Sequence, residues 1–122
     1  MIDWRETLYL DEQMARDDRI SELKEMLMQI RLGSLKLLVR PAYGVFLAQN
    51  PENLLEIISF SEFLQPGYGT RTFHCVGVAS NHDNAERLVQ AILMDTLRER
   101  GDLQVREFLY PIDKEGEASC CK

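Results

Sequence analysis

The stretch of sequence that decides the fold is residues 72–101, TFHCVGVASNHDNAERLVQAILMDTLRERG. Its first part, residues 72–79, puts apolar side chains on both faces of a strand, which is typical of a central strand covered on both sides. Ser80 and Asp83 then form a pair with capping-box spacing, and apolar residues recur at helical spacing until Gly101, where a helix-ending glycine is expected. The stretch therefore predicts a buried strand followed by a long helix. We expect the buried face of this helix to consist of Ala85, Leu88, Val89, Ile92 and Leu97.

The residues after this helix predict one more strand. Leu103, Val105 and Leu109 alternate with more polar neighbours, as in a strand with one buried face. If this strand over residues 103–110 runs parallel to the first one, the connection between them is a right-handed crossover. Residues 111–122 are rich in Gly, Ser, Lys and Glu and predict a flexible C-terminal tail. This leaves residues 1–110 as a single α+β domain.

The N-terminal third predicts helices. In residues 1–18, four apolar side chains fit one face of a frayed helix or of a loose arm. A firmer helix is predicted from the N-cap candidates Asp17 and Asp18 to about Leu32, because its apolar residues recur at helical spacing and Gly33 follows. The apolar residues of the first segment are Trp4, Leu8, Leu10 and Met14, and those of the second are Ile20, Leu23, Leu27 and Ile30.

From residue 35 onward the pattern changes to that of strands. Residues 35–40 and 45–49 are short apolar runs bounded by turn residues, which predicts two strands. Residues 51–64 fit two interpretations, either one helix that begins at Asn50–Pro51 or a hairpin strand followed by a short helix. The second is favoured because Ser59–Glu62 has capping-box spacing, which begins a new helix and does not continue an old one.

Together these elements define an α+β fold with an N-terminal helix, a mostly antiparallel sheet of four or five strands, and one long helix packed on that sheet. A central strand that is apolar on both faces needs a cover on each face. The N-terminal helix or a second copy of the chain can supply the second cover, and homodimers are the commonest oligomers. We therefore predict a homodimer.

Composition and charge exclude several classes of partner. Of the 122 residues, 45% are hydrophobic and 28% are charged, which is typical of a globular domain and not of a disordered or disulfide-rich chain. The net charge is −6, and lysines and arginines form no cluster, so we expect no nucleic acid as partner. Charges interrupt every apolar run before the roughly 20 residues of a membrane span, and the acidic N-terminus does not resemble a targeting signal. We expect a cytoplasmic protein that binds no membrane.

Motifs for catalysis and cofactor binding are missing from the sequence. It contains no phosphate-binding loop, no nucleophile elbow, no zinc-protease helix motif and no calcium loop. Two histidines cannot build a multi-histidine metal centre, and no C-x-x-C spacing occurs. We therefore expect no catalytic residue, no cofactor and no metal ion.

Two pairs of reactive side chains have simple structural interpretations. His74 and Cys75 are neighbours in a strand, so they point to opposite faces and cannot act together on one atom. We expect Cys75 to be a core residue and His74 a hydrogen-bonded side chain at the edge of the core. Cys120 and Cys121 lie in the predicted tail, and a thiol or metal function there ranks last among the hypotheses.

Two loops contain side chains suited to an anionic ligand. The strand-to-helix turn over residues 80–84 offers Ser80, Asn81 and His82 near the free N–H groups of a helix start. The loop over residues 66–71 contains two glycines, and its Arg71 is suited to a carboxylate that Tyr68 closes over. If both loops face one cavity, these five residues form a ligand site: Tyr68, Arg71, Ser80, Asn81 and His82.

The sequence therefore supports two hypotheses of different classes. The first is a non-enzymatic protein-interaction or assembly module that acts as a homodimer, because the central strand is apolar on both faces and catalytic motifs are missing. The alternative is a small sensor or minor enzyme that binds an anionic ligand between the two loops. The first predicts a dimer in solution, and the second requires the two loops to meet.

Overall fold

The computed structural model describes residues 2–16, 19–28, 41–50, 53–64 and 71–111. Its strands are β1 (Ile2–Leu10), β2 (Tyr43–Leu47), β3 (Leu55–Ser59) and β4 (Phe73–Ala79). Its α-helices are α1 (Glu12–Arg16), α2 (Arg19–Met28), α3 (His82–Arg100) and α4 (Val105–Leu109), and a 3₁₀ helix spans Phe60–Leu64. The strand predicted over residues 35–40, the end of the predicted helix at Leu32 and the predicted tail after Pro111 lie outside the described residues.

The four strands form one mixed sheet in the order β1-β4-β2-β3. β4 pairs with β2 in antiparallel and with β1 in parallel orientation, and β2 and β3 form an antiparallel hairpin. The predicted central position of β4 is therefore confirmed. The sheet is not antiparallel throughout, because its edge strand β1 runs parallel to β4.

Helices of the same chain cover both faces of this sheet. One face packs against α3 and α4, and the opposite face packs against α1, α2 and the 3₁₀ helix. The N-terminal helices therefore supply the second cover of the central strand. This is one of the two predicted possibilities. The buried residues of the first face are Val45, Leu47, Val76, Ala79, Ala85, Leu88, Ile92, Val105 and Leu109. Those of the second face are Met14, Leu23, Ala42, Phe46, Phe60, Phe73, Cys75 and Val78.

An irregularity in β4 changes which side chains share a face. Val45 lies opposite Gly77 and Phe46 lies opposite Cys75, so Val76 is an extra residue in the ladder with β2, as in a β-bulge. Val76 consequently faces α3, whereas Val78 faces α2. Strict alternation along a strand predicts both valines on one face, and the bulge instead places them on opposite faces.

The segment predicted as an N-terminal helix is mostly strand. Residues 2–10 form β1, and only the turn around Met14 is helical, in α1. Trp4 pairs with Cys75 across the strands and stacks on Phe60 at 5.6 Å between ring centroids, so β1 is held by contacts with distant parts of the chain. Trp4, Leu8 and Leu10 pack in the same core cluster and are separated by even numbers of residues, so their spacing fits a strand as well as a helix.

The strand predicted over residues 103–110 is a short helix, α4. Val105 and Leu109 are both buried, and a spacing of four residues satisfies the helical period as well as the strand period. The Asp102 carboxylate accepts a hydrogen bond from the Gln104 N–H at 3.1 Å, just before the first turn. The predicted crossover to a parallel strand after the long helix is therefore wrong, and the parallel partner of β4 is β1.

The long helix begins and ends close to the predicted residues. Asn81 is the N-cap of α3 and accepts the Asn84 N–H at 2.8 Å, so the predicted cap at Ser80 is displaced by one residue. Gly101 ends the helix with φ of 79°, a left-handed conformation that favours glycine. Leu97 is 46% exposed, and its predicted place on the buried face is wrong.

The hairpin interpretation of residues 51–64 is confirmed. β2 spans Tyr43–Leu47 and β3 spans Leu55–Ser59, and the 3₁₀ helix begins at Phe60, one residue after the predicted capping position. None of the helices in the described ranges has the length and apolar character needed to cross a bilayer.

Candidate functional site

The turn between β4 and α3 binds a carboxylate that belongs to the chain itself. Asp11 follows β1, and because β1 and β4 are parallel, their carboxyl ends meet at the same edge of the sheet. Oδ2 of Asp11 accepts hydrogen bonds from the Ser80 N–H at 2.8 Å, the Ser80 hydroxyl at 2.7 Å and the Asn84 amide at 2.9 Å. The prediction that this turn suits an anion is consistent with this geometry, but the anion in the structure is Asp11.

The second oxygen of Asp11 has a different role. Oδ1 accepts the Met14 N–H at 2.9 Å and so caps α1, a helix of five residues. The side chain is buried, with 8% of the residue exposed. Burial alone would raise the pKa of Asp11, but the hydrogen bonds from Ser80, Met14 and Asn84 lower it below its ordinary value. Asp11 is therefore held as a carboxylate that joins β1 and α1 to β4 and α3.

His82 lies beside this clamp, at the solvent-exposed first turn of α3. Its ring contacts the Tyr43 ring edge-on at 5.7 Å, and Nδ1 lies 4.0 Å from a carboxylate oxygen of Glu86. His82, Asp83 and Glu86 bring one ligand atom each within 4.8 Å of one another, and all three residues are exposed. Exposed groups of this kind on the first turns of a helix are common without a bound ion, and we assign no metal to them.

Of the four described residues of the predicted ligand site, Arg71 lies apart from the other three. Arg71 precedes β4, whereas Ser80, Asn81 and His82 follow it, so a strand of seven residues separates them. At roughly 3.3 Å per residue this strand spans more than 20 Å. Tyr68 lies outside the described residues. Arg71 and the turn over residues 80–84 therefore occupy opposite ends of β4.

A second group of polar side chains lies on the β1 side of the sheet. Nδ1 of His74 is 2.9 Å from a carboxylate oxygen of Asp3 on the neighbouring strand, and the His74 ring contacts the Tyr110 ring at 5.8 Å. This confirms His74 as a hydrogen-bonded side chain at the edge of the core. Cys75 points to the opposite face and is buried, and burial raises the pKa of its thiol to about 12. Such a thiol is no nucleophile at neutral pH.

A groove of about 260 Å³ lies at the end of the sheet where β4 begins. Leu54 and Leu103 form apolar parts of its wall, and these two leucines are 41% and 44% exposed. The Arg106 guanidinium donates to the Ala48 carbonyl oxygen at 3.3 Å across the groove. No sequence pattern predicts this groove, because its walls come from the loop after β2 and the segment before α4, which are distant in the chain. The remaining lining residues are Gln49, Asn53, Gln104, Val105 and Glu107.

The two edges of the sheet differ in how they are protected. β1 carries the charged residues Asp3, Arg5 and Glu6, and it has four residues between Trp4 and Tyr9 where β4 has one residue between their partners. Charges and irregular pairing are the features by which edge strands avoid pairing with other chains. β3 follows a regular register with β2, contains no lysine or proline, and has Glu56 as its single charge.

Comparison with known protein families, curated proteins and solved structures finds no match to this chain.

Proposed function

We propose that the protein is a non-enzymatic interaction module that acts as a homodimer. The observation that carries the proposal is the edge strand β3, which lacks the features that protect β1. Across the described part of the chain, β3 pairs with β2 alone, so one side of its backbone faces outward. An open, regular and nearly uncharged edge is a template for a strand from another chain.

The surroundings of β3 support the same proposal. All five residues of β3 are half-buried, and Leu54, directly before the strand, is exposed. Leu103 lies with Leu54 on the wall of the same groove, so apolar surface continues beyond the end of the strand. Apolar surface next to an open edge favours association with protein over exposure to water.

The clusters of reactive groups do not favour a catalytic centre. Asp11 is saturated by hydrogen bonds, the Cys75 thiol is buried and protonated, and His82 is an exposed residue at a helix start. The anionic-ligand hypothesis requires an open anion site in the turn over residues 80–84, but the Asp11 carboxylate occupies this turn. We therefore rank it second.

The first test is the molar mass of the full chain by light scattering coupled to size-exclusion chromatography, in reducing buffer. The expected mass is about twice 14.1 kDa, falling toward 14.1 kDa on dilution. A mass of 14.1 kDa at every concentration would overturn the homodimer.

A matched pair of variants then asks which edge is used. Ile57→Lys places a charge in the middle of β3, and Thr7→Lys makes the same kind of change on the exposed part of β1. We expect Ile57→Lys to be monomeric and Thr7→Lys to remain dimeric, with circular dichroism confirming that both are folded. The reverse pattern would move the interface to β1. Mixing Ile57→Lys with Ile57→Glu should restore a dimer, which a misfolded variant could not do.

A further inference from the structure

We infer that two copies of the chain pair β3 with β3 in antiparallel orientation about a two-fold axis at Ile57, which joins the two sheets into one of eight strands. This inference rests on the proposed function, because it names the partner and the register of the same edge. It follows from which backbone groups of β3 face outward, and from where its one charge lies.

The hydrogen bonds of the hairpin show which residues of β3 face outward. Next to β3, the Ala48 N–H donates to the Leu54 carbonyl oxygen at 3.4 Å, and the Phe60 N–H donates to the Ala42 carbonyl oxygen at 3.0 Å. Both pairs continue the register in which Val45 lies opposite Ile57. Because hydrogen-bonded pairs alternate along an antiparallel ladder, Glu56 and Ile58 also bond to β2. The backbone groups of Leu55, Ile57 and Ser59 therefore point away from β2.

This alternation limits how two copies of β3 can pair. An outward-facing residue must lie opposite another outward-facing residue, so a two-fold axis passes through a residue of the strand. Axes at Glu56, Ile57 and Ile58 pair three or more residues of β3 with the partner's β3, whereas axes at Leu55 and Ser59 pair only one. An axis at Ile57 pairs Ile57 with its own counterpart and Leu55 with the partner's Ser59, which uses all five residues. This register forms about six backbone hydrogen bonds, two for each hydrogen-bonded pair.

The charge of Glu56 decides between the registers. With the axis at Glu56, the two copies of this carboxylate lie directly opposite each other at a Cα separation of about 4.5 Å, and like charges in that position are unfavourable. With the axis at Ile57, Glu56 lies opposite the partner's Ile58 instead. With the axis at Ile58, Leu55 loses its strand partner. The register about Ile57 alone keeps every pairing and separates the two carboxylates.

Cysteine cross-linking distinguishes these registers. In the variant background Cys120→Ser/Cys121→Ser, the one remaining cysteine is the buried Cys75. Glu56→Cys is mixed with Ile58→Cys in this background and oxidised with copper phenanthroline. The inferred register brings these two positions within about 4.5 Å, inside the Cα range of disulfides, whereas each position lies roughly 7–8 Å from its own counterpart.

The expected result is a disulfide-linked dimer in the mixture and little or none with either variant alone. Efficient cross-linking of Glu56→Cys alone would place the two-fold axis at residue 56. Efficient cross-linking of Ile58→Cys alone would place it at residue 58, and either result would contradict the register about Ile57. Met94→Cys tests the most exposed apolar residue on α3, which is 61% exposed. If the wild-type mass is that of a dimer but only Met94→Cys cross-links, the inferred β3 pairing is wrong while the homodimer stands. A monomeric wild type overturns both.

Discussion

Replacing Asp11 tests a buried polar side chain that connects four elements of the fold. Asp11 is 8% exposed and accepts four hydrogen bonds, from the Ser80 N–H, the Ser80 hydroxyl, the Asn84 amide and the Met14 N–H. Asp11→Ala removes both acceptor oxygens and leaves these donors without their partner. Asp11→Asn keeps the shape of the side chain. In either orientation of its amide, however, the N–H₂ group faces at least one hydrogen-bond donor and cannot accept from it.

The expected loss of stability follows from these contacts. Loss of a helix N-cap costs about 1 kcal/mol. A hydrogen bond to a charged group contributes about 1.5–3 kcal/mol to stability. The contributions of the three hydrogen bonds on Oδ2 are not additive, because water reaches the partly exposed Ser80 and Asn84 once the carboxylate is removed. We expect Asp11→Ala to lower the free energy of unfolding by about 3 kcal/mol and Asp11→Asn by about 2 kcal/mol.

The pH dependence gives an independent readout of the same carboxylate. The folded-state pKa of Asp11 is lowered, so its contribution is complete above the unfolded pKa of roughly 4 and is lost as the pH falls through the folded pKa. The gap in stability between wild type and Asp11→Asn should therefore narrow below about pH 4.

The assay is urea unfolding followed by the fluorescence of Trp4, the single tryptophan, which stacks on Phe60. Glu99→Gln, an exposed change near the end of α3, is the control and should stay within about 0.5 kcal/mol of wild type. If both Asp11 variants match this control, or if their deficit persists unchanged at low pH, the clamp does not stabilise the fold.

Three further predictions concern single contacts. Tyr9→Phe removes the hydroxyl that donates to Asp95 at 2.7 Å. Burial and this hydrogen bond raise the pKa of Tyr9 to about 12. Because the unfolded pKa is roughly 10, the free energy of unfolding of the wild type should fall as the pH rises above roughly 10. Denaturant titrations at several pH values should show a smaller fall in Tyr9→Phe. Gly101→Ala should lower the free energy of unfolding by about 1 kcal/mol in thermal denaturation, because φ of 79° strains any residue with a Cβ. Cys75 should escape iodoacetamide in native buffer and react in denaturant, as read by peptide mapping; modification at equal rates would contradict its burial.

The sequence predicted the elements whose signals are local. The hairpin, the short helix after Ser59, the central strand and the end of the long helix at Gly101 all depend on residues close to one another in the chain. The two elements predicted wrongly lacked such a signal. β1 is held by parallel pairing with β4, about 70 residues away, and α4 has buried residues whose spacing fits a strand equally well.

The candidate site shows the same division between local and distant contacts. Ser80 and Asn81 are predicted ligand-binding residues because a helix start favours an anion, and the structure has a carboxylate bound to Ser80. Its source is Asp11, which lies 69 residues before Ser80, and no spacing rule connects the two. The open edge at β3 could not be predicted either, since a hairpin has the same sequence pattern in the middle of a sheet as at its edge.

Among the described residues, side-chain hydrogen bonds tie the edge strand β1 to its neighbours more extensively than the edge strand β3. Asp3 binds His74, Arg5 donates to the Leu109 carbonyl oxygen at 3.1 Å, and Tyr9 binds Asp95, so β1 is tied to β4, α4 and α3 along its whole length. On β3, the one side-chain hydrogen bond within the described ranges joins the hydroxyls of Ser59 and Ser61 at 3.0 Å. Within the described ranges, side chains therefore anchor β1 along its length, whereas β3 has β2 as its one strand partner.

Hydrogen exchange measured residue by residue makes this difference observable. The amides of Glu56 and Ile58 bond to β2 in a single copy, so their protection should not depend on protein concentration. Those of Leu55, Ile57 and Ser59 face outward, and we expect them to exchange rapidly in dilute protein and to become protected as the concentration rises. Protection that changes with concentration on α3 instead would place the interface on the helix. Protection of alternate residues is a signature that only strand pairing produces, because neighbouring backbone groups point in opposite directions.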